Sequence, residues 1–183
     1  MKDYHLKGCR VLHIGGHKGQ EIKHYRKMGV DFTYVEADPK YARILRKKGC
    51  DVIECAVTSK RGERVFYLGE KTQRSSLKKP HKSVTGIKDK IVVECKRLED
   101  IQDGYDGLSI DAQGESYDIL SSGDLSKFRV IICEASDKPR YEGEKDKQQI
   151  HSLMDGFTIV DEYRHKNGDI YDVVYRRSDT ITG

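Results

Sequence analysis

Apolar positions in this chain gather in short runs separated by helical periods, and the first few runs set the pattern. Arg10 to Ile14 (RVLHI) is a compact apolar run that reads as a buried strand. Gly19 to Met28 follows with a helical period that places Ile22, Tyr25 and Met28 on one face. The run FTYVEA (32–37), rich in β-branched and aromatic residues, is a second strand. Asp38 then occupies an N-cap position with Pro39 at the first helical residue, a strong start signal. Tyr41, Ile44 and Leu45 give that helix its apolar stripe, and Gly49 ends it. DVIECAV (51–57) is the third strand. The order β-α-β-α-β over residues 10–57 predicts a parallel α/β sheet.

Further along, ERVFYLG (63–69) and KIVVECKRL (90–98) read as strands joined by a polar, Ser- and Lys-rich loop. GLSIDAQGESYDIL (107–120) repeats the sequence strand, turn, helix. KFRVIICEAS (127–136) is the most apolar run and is expected near the centre of the sheet. A helix is predicted over Lys145–Met154, burying Ile150, Leu153 and Met154. GFTIVDEYR and DIYDVVYRR flank the turn HKNGD (165–169) and predict an antiparallel hairpin. With no internal repeat or linker, residues 1–183 are expected to form one domain. Its predicted class is α/β, a single doubly wound, mostly parallel sheet with a C-terminal antiparallel hairpin.

Composition narrows the function classes. The 183 residues are enough to bury a core, and 35% of them are charged. No apolar run approaches the roughly 20 residues of a membrane helix, and MKDYHLKGCR lacks the apolar region of a secretory signal. Cysteines 9, 50, 55, 95 and 133 are odd in number and never in C-x-x-C spacing. That disfavours a disulfide framework or zinc site, and the expected setting is a reducing cytoplasm. The net charge of +4 does not by itself imply nucleic acid. Basic residues gather at 43–49, the polar face of a helix, and at 75–90, a polar segment able to touch an acidic substrate.

In open α/β sheets a ligand sits at the carboxyl ends of the strands, where strand order reverses. Three features fall at such ends: Gly15, Gly16 and Gly19; Glu36; and Asp111 with Gly114 and Glu115. Glycines let the backbone turn tightly and approach a ligand. Glu36 stands at the spacing, about 20 residues beyond the glycines, at which an acid meets ribose hydroxyls. The alternative is that the glycines serve only the turn and Asp111 caps the following helix. The dinucleotide fingerprint G-x-G-x-x-G is absent, as is the G-x-x-x-x-G-K-[ST] phosphate loop. The terminal hairpin suits a methyltransferase sheet better than a nicotinamide-binding one, which makes S-adenosylmethionine the leading ligand.

The pieces VLHIGGHKGQE, YVEADPKYARIL, CAVTSKRGERVFY, RSSL, VVECKRLEDI, VIICEAS and LMDGFTIV occur in an order and spacing that resemble the FkbM family of S-adenosylmethionine-dependent methyltransferases. The most specific match is IDAQGESYDIL, similar to that family's Asp-x-(Glu/Gln)-Gly-x-Glu motif leading into a helix. The resemblance implies a class I, Rossmann-like methyltransferase fold with S-adenosylmethionine as cofactor. It places Gly15, Gly16, His17 and Gly19 around the methionine part, Glu36 at the ribose, and Ala56 with Val57 near the adenine. Asp111 joins the cofactor-binding set. The family association implies O-methylation of small molecules or sugars. One residue departs from the pattern: His13 stands where the family usually has an acid that positions the methionine end. A neutral imidazole still hydrogen-bonds there through one nitrogen.

Transfer to a hydroxyl needs the reactants in line and the hydroxyl proton removed. Asp111 is the first candidate base, with Glu115 close by as the second catalytic candidate, His17 a lesser one and Glu134 a further acid. His13 and His17 span a strand end and a loop, so no metal site is expected. Amino-directed nucleic-acid methyltransferases need [DNS]-P-P-[YFW], and the cytosine-C5 class needs a Pro-Cys nucleophile; the chain has neither. RNA 2′-O-methylation and a non-catalytic, cofactor- or partner-binding role are the alternatives to a small-molecule or sugar acceptor. The acceptor is expected to be set by the segment Gln73–Lys90 and the loop after Glu134.

Overall fold

A computed structural model describes residues 2–166 and 168–178. Asn167, in the predicted hairpin turn, and Met1, in the N-terminal stretch, lie outside the described residues. The main sheet has seven strands. They are β1 (Arg10–Ile14), β2 (Asp31–Glu36), β3 (Asp51–Glu54), β7 (Gly107–Ile110), β8 (Val130–Ser136), β9 (Phe157–Arg164) and β10 (Ile170–Arg177). Their order is β3-β2-β1-β7-β8-β10-β9. β3, β2, β1, β7 and β8 run parallel, while β10 pairs antiparallel with β8 and with β9. This is the predicted doubly wound sheet with its terminal hairpin. Strand order reverses between β1 and β7, which are hydrogen-bonded neighbours.

Both faces of the sheet are covered, as a parallel sheet requires. One face packs Leu12, Ile14, Leu108, Ile110 and Ile131 against Ile119, Phe128 and Ile150. On the other, Val11, Val130, Ile132 and Val174 meet Leu6, Tyr25 and Val30. Among the helices, α1 (Ile22–Met28) and α2 (Pro39–Lys47) follow β1 and β2. Asp38 caps α2 as predicted, its carboxylate accepting the Lys40 N–H at 2.8 Å. Past its end, Gly49 has φ +72° and Cys50 N–H reaches back to the Leu45 carbonyl at 3.2 Å.

Three expectations need correction. The run 51–57 is not one strand: β3 stops at Glu54, and Ala56–Val57 (β4) pairs with another sheet. Cys55 packs in the main core and Ala56 in a separate cluster, so the chain crosses between two cores there. An unbroken apolar run cannot distinguish this from a continuous strand. The sheet is also not single. β5 (Gly62–Gly69), β6 (Ile87–Lys96) and β4 form a second, three-stranded sheet in the order β4-β6-β5. The helices are shorter than their periodicity suggests. α1 begins at Ile22 because Gly19 has φ +67°. α3 spans Ser116–Leu120, and α4 only Lys147–His151, opened by an Asp146–Gln149 capping box. Ile150 and Met154 are still buried. β8 lies inside the sheet between β7 and β10, the middle strand being β7.

Ile131 is fully buried, whereas Val92 on β6 is 64% exposed. Ile131→Ala is therefore expected to cost about 2–5 kcal/mol of unfolding free energy. Val92→Thr should stay within about 0.5 kcal/mol of the parent. Urea unfolding of the two variants checks the contrast, and equal losses would contradict this assignment of the core.

Candidate active site

The end of β1 is gripped from both sides. Gly15 N–H donates to the Val35 carbonyl of β2 at 2.9 Å, and Asp111 N–H, past β7, donates to the Ile14 carbonyl at 2.8 Å. Gly15 has φ +92°, and a Cβ there would lie 2.0 Å from the Asp111 carbonyl oxygen. Only glycine fits. The chain then turns through His17, which takes φ +41° and donates its N–H to Glu36 Oε2 at 2.6 Å. Glu36 Oε1 accepts the Asp38 N–H at 2.8 Å. Burial nevertheless pushes the Glu36 carboxyl up to about 7, because the backbone donors of Asp38, His17 and Ala37 only partly offset its loss of water.

This turn opens onto a concave cavity at the carboxyl ends of the strands. Of the predicted cofactor residues, Gly15, His17, Glu36, Ala56, Val57 and Asp111 lie on its wall. Gly16 and Gly19 are not part of the wall. A Cβ on Gly16 would meet Tyr34 and Leu45 at 2.7 Å, and one on Gly19 would meet Ile22 at 2.3 Å, so both admit close packing of the helices. Cys55, Ala56, Val57 and Phe66 contribute apolar side chains to the wall. The His17 ring sits on Tyr41 with centroids 4.1 Å apart. His17 Nε2 lies 3.0 Å from Thr72 Oγ1, while its Nδ1 is buried without a partner.

The two segments expected to set the acceptor meet here. Residues Thr72 to Leu77 contribute to the wall, all but Arg74 lining it. Ser76 Oγ donates to the Gln113 carbonyl at 2.6 Å. Tyr141, in the loop after β8, donates to the Arg74 carbonyl at 3.3 Å and to Gln113 Oε1 at 3.0 Å. An isolated bridge joins Pro80 to the same Tyr141.

Asp111 and Glu134 are linked by one amide. Gln113 Nε2 donates to Asp111 Oδ1 at 2.8 Å and to Glu134 Oε1 at 3.3 Å, and Arg140 Nη1 reaches Glu134 at 3.3 Å. The Asp111 side chain is open to the cavity but walled by protein, and this burial pushes its pKa up. Glu134 is raised to about 8, by burial and then by Asp111. Asp111 does not cap α3: the N-cap is Glu115, and no side chain caps it. Glu115 lines the cavity, but its Oε2 accepts the Thr58 hydroxyl at 2.8 Å and its Oε1 lies 3.8 Å from Lys78 Nζ. Its neighbours hold it in the wall.

His13 faces away from the cavity. It is 3% exposed, with Nδ1 2.9 Å from the Tyr25 hydroxyl and its ring 4.9 Å from that of Tyr34. Burial lowers its pKa to about 3, so it stays neutral. His13 and His17 do not converge, and among the described residues no group of three His, Cys, Asp or Glu is set to hold a metal ion. Sequence reasoning did not reach Gln20, Glu21, Tyr41, Phe66 or Gln113 as wall residues. Tyr41 read as part of a helical stripe and Phe66 as a strand residue. Gln113 lay inside the quoted IDAQGE motif, and that was its only signal.

The family model described as the methyltransferase FkbM domain matches residues 13–171. No curated protein matches the chain by sequence. Among solved structures, the chain is similar to magnesium protoporphyrin IX methyltransferase from Synechocystis PCC 6803 with bound SAM. The TM-score is 0.55 at 13% identity, covering 96% of this chain and 73% of that one. It is also similar to the 1,6-didemethyltoxoflavin-N1-methyltransferase of Burkholderia thailandensis, with TM-score 0.53, 16% identity and coverage of 97% and 75%. A SAM-dependent methyltransferase from Archaeoglobus fulgidus gives 0.55, 12%, 94% and 88%. At these identities the likeness is one of fold, that of class I methyltransferases.

Gly15→Ala places a methyl group against the Asp111 backbone, which cannot move without parting β1 from β7. Gly29 also has positive φ, +67°, but open space around its Cβ position. Gly29→Ala should therefore cost about 1–2 kcal/mol from backbone strain alone, and Gly15→Ala distinctly more. Thermal unfolding of both variants measures the difference.

Proposed function

Because the chain belongs to the FkbM methyltransferase family, we propose that it is an S-adenosylmethionine-dependent methyltransferase acting on a hydroxyl oxygen of a small molecule or sugar. The observation that carries this reading is Glu36. Its carboxylate stands at the end of β2 on the cavity wall, fixed by the His17 and Asp38 N–H groups. That is where two vicinal hydroxyls of a ribose would find an acceptor. The rest of the wall fits the same ligand. Cys55, Ala56, Val57 and Phe66 offer an apolar surface for a planar base. Gly15 lets the backbone pass close to the ligand.

The cofactor supplies a methyl group on a positively charged sulfur. The chain's own part is to hold the acceptor in line and to take its proton. Asp111 is the group for the second task. It opens to the cavity, and burial makes it a stronger proton acceptor than an ordinary carboxylate. Gln113 holds its other side and links it to Glu134, which can take part of the negative charge or the proton. Glu115, engaged by Thr58 and Lys78, orders the turn that carries Asp111. The reading treats residues 1–183 as one such domain. The five cysteines, all buried and free, support a cytoplasmic setting. No helix among the described residues is long and apolar enough to cross a membrane.

Titration calorimetry with S-adenosylhomocysteine tests the ribose contact. Glu36→Ala should weaken binding about tenfold or more, and unchanged affinity would refute the assignment. The Glu36 carboxyl lies above its unfolded value of 4.5, so the folded protein holds the extra proton between pH 4.5 and about 7. Native stability therefore falls as pH rises through that window. Hydroxyl donors favour the ionised form, so affinity should rise between pH 6 and 8, and a Glu36→Gln variant should show a flat profile there.

A labelled-methyl screen over sugars, small hydroxy compounds and RNA identifies the acceptor. Labelling of RNA alone would favour the 2′-O reading, and binding without any transfer the non-catalytic one. With an acceptor in hand, Asp111→Asn should lower transfer about 100-fold. Should lost cofactor binding account for the whole effect, Asp111 would be a binding residue and not the base.

A further inference from the structure

The methionine end of S-adenosylmethionine carries an α-ammonium group, and a buried ammonium needs a carboxylate partner. Five acids line the cavity: Glu21, Glu36, Asp38, Asp111 and Glu115. Four are already engaged. Glu36 accepts two backbone N–H groups, Asp38 caps α2, Asp111 accepts the Gln113 amide and Glu115 accepts the Thr58 hydroxyl. His13, buried, neutral and turned toward Tyr25, cannot supply a negative charge.

Glu21 is different. It stands just before α1, half-buried on the cavity wall, and makes no side-chain cap to the helix. Among the described residues its carboxylate bonds only to its own backbone N–H. Burial raises its pKa, and Asp111 and Asp3 raise it further against the lesser pull of Lys2. An ionised Glu21 thus faces the cavity with a deficit of positive charge. Asp111, the charged group that acts on it most strongly, adjoins the end of β1.

We propose that Glu21 pairs with the α-ammonium of the cofactor's methionine part and provides the negative charge that His13 does not. This rests on the cofactor reading above, and it assigns a binding role to a residue at the start of α1 in place of one inside β1. Glu21 is a binding residue here and takes no part in the proton transfer.

The test compares two probes by titration calorimetry: S-adenosylhomocysteine, which has the amino-acid end, and 5′-methylthioadenosine, which lacks it. For Glu21→Gln, S-adenosylhomocysteine affinity should fall about tenfold while 5′-methylthioadenosine affinity stays unchanged. The second probe doubles as a check that the variant keeps its fold and nucleoside site. A parallel fall for both probes would make Glu21 structural and overturn the proposal, as would no change for either. A rise for S-adenosylhomocysteine would mean that Glu21 faces the ligand's carboxylate, which also overturns it. Failure of the parent protein to bind either probe would sink the cofactor reading, and the assignment with it.

Discussion

The contact between Gly15 and the Asp111 backbone is the constraint on which the site depends. Two parallel strands, β1 and β7, come together where the order of the sheet reverses. At such a point the chains leave the two strand ends in opposite directions and a crevice forms, and here β1 ends between the Val35 carbonyl and the Asp111 N–H. The lack of a side chain at Gly15 lets the Asp111 carbonyl approach its Cα. From that clamp follow the direction of the turn into His17, the hydrogen bond from His17 to Glu36, and the exit of the Asp111 carboxylate into the cavity. The site is therefore built from backbone geometry first, with side chains added to it.

Burial sets the chemistry of the acids placed this way. Glu36, Asp111, Glu115 and Glu134 all lie above the ordinary carboxylate range, with desolvation the largest cause for each. A pocket that pushes its carboxyls upward favours ligands that bring hydrogen-bond donors or positive charge, since either returns what the solvent took away. Ribose hydroxyls and an ammonium do both. Glu134 also has Arg140 as an internal partner, which explains how two nearby acids, Asp111 and Glu134, are tolerated around one amide donor.

The second sheet gives the cavity its other walls. β4 brings Ala56 and Val57, β5 brings Phe66, and the segment between β5 and β6 brings Thr72 to Leu77 across the opening. Tyr141 ties that segment to the loop after β8. This wall is thus shaped by two stretches far apart in sequence, joined by Tyr141 and by the His81–Arg140 and Glu142–Lys79 backbone hydrogen bonds.

The chain's own pattern determined the sheet and its chemistry in outline. Runs such as RVLHI and VIICEAS are buried on both sides, so their apolar content marks them as strands wherever they pack. Asp38-Pro39 starts a helix by local capping alone. Gly15, Glu36 and Asp111, all on the cavity wall, were legible because a strand that ends at a cavity leaves a local signature of glycine or acid. Tertiary structure decided the rest. Whether 51–57 stays on one sheet depends on pairing with Cys95 and Lys96, which no local pattern encodes. The side to which a β1 residue points depends on strand register, and this puts His13 under Tyr25 and outside the cavity. Glu21 looked like an ordinary charge at the start of a helix, and only the folded wall shows that its carboxylate stands on the cavity, where Asp111 and Asp3 act on it more strongly than Lys2 does. Local sequence fixes conformation through nearest neighbours, whereas the environment of a charge is set by whatever the fold brings against it.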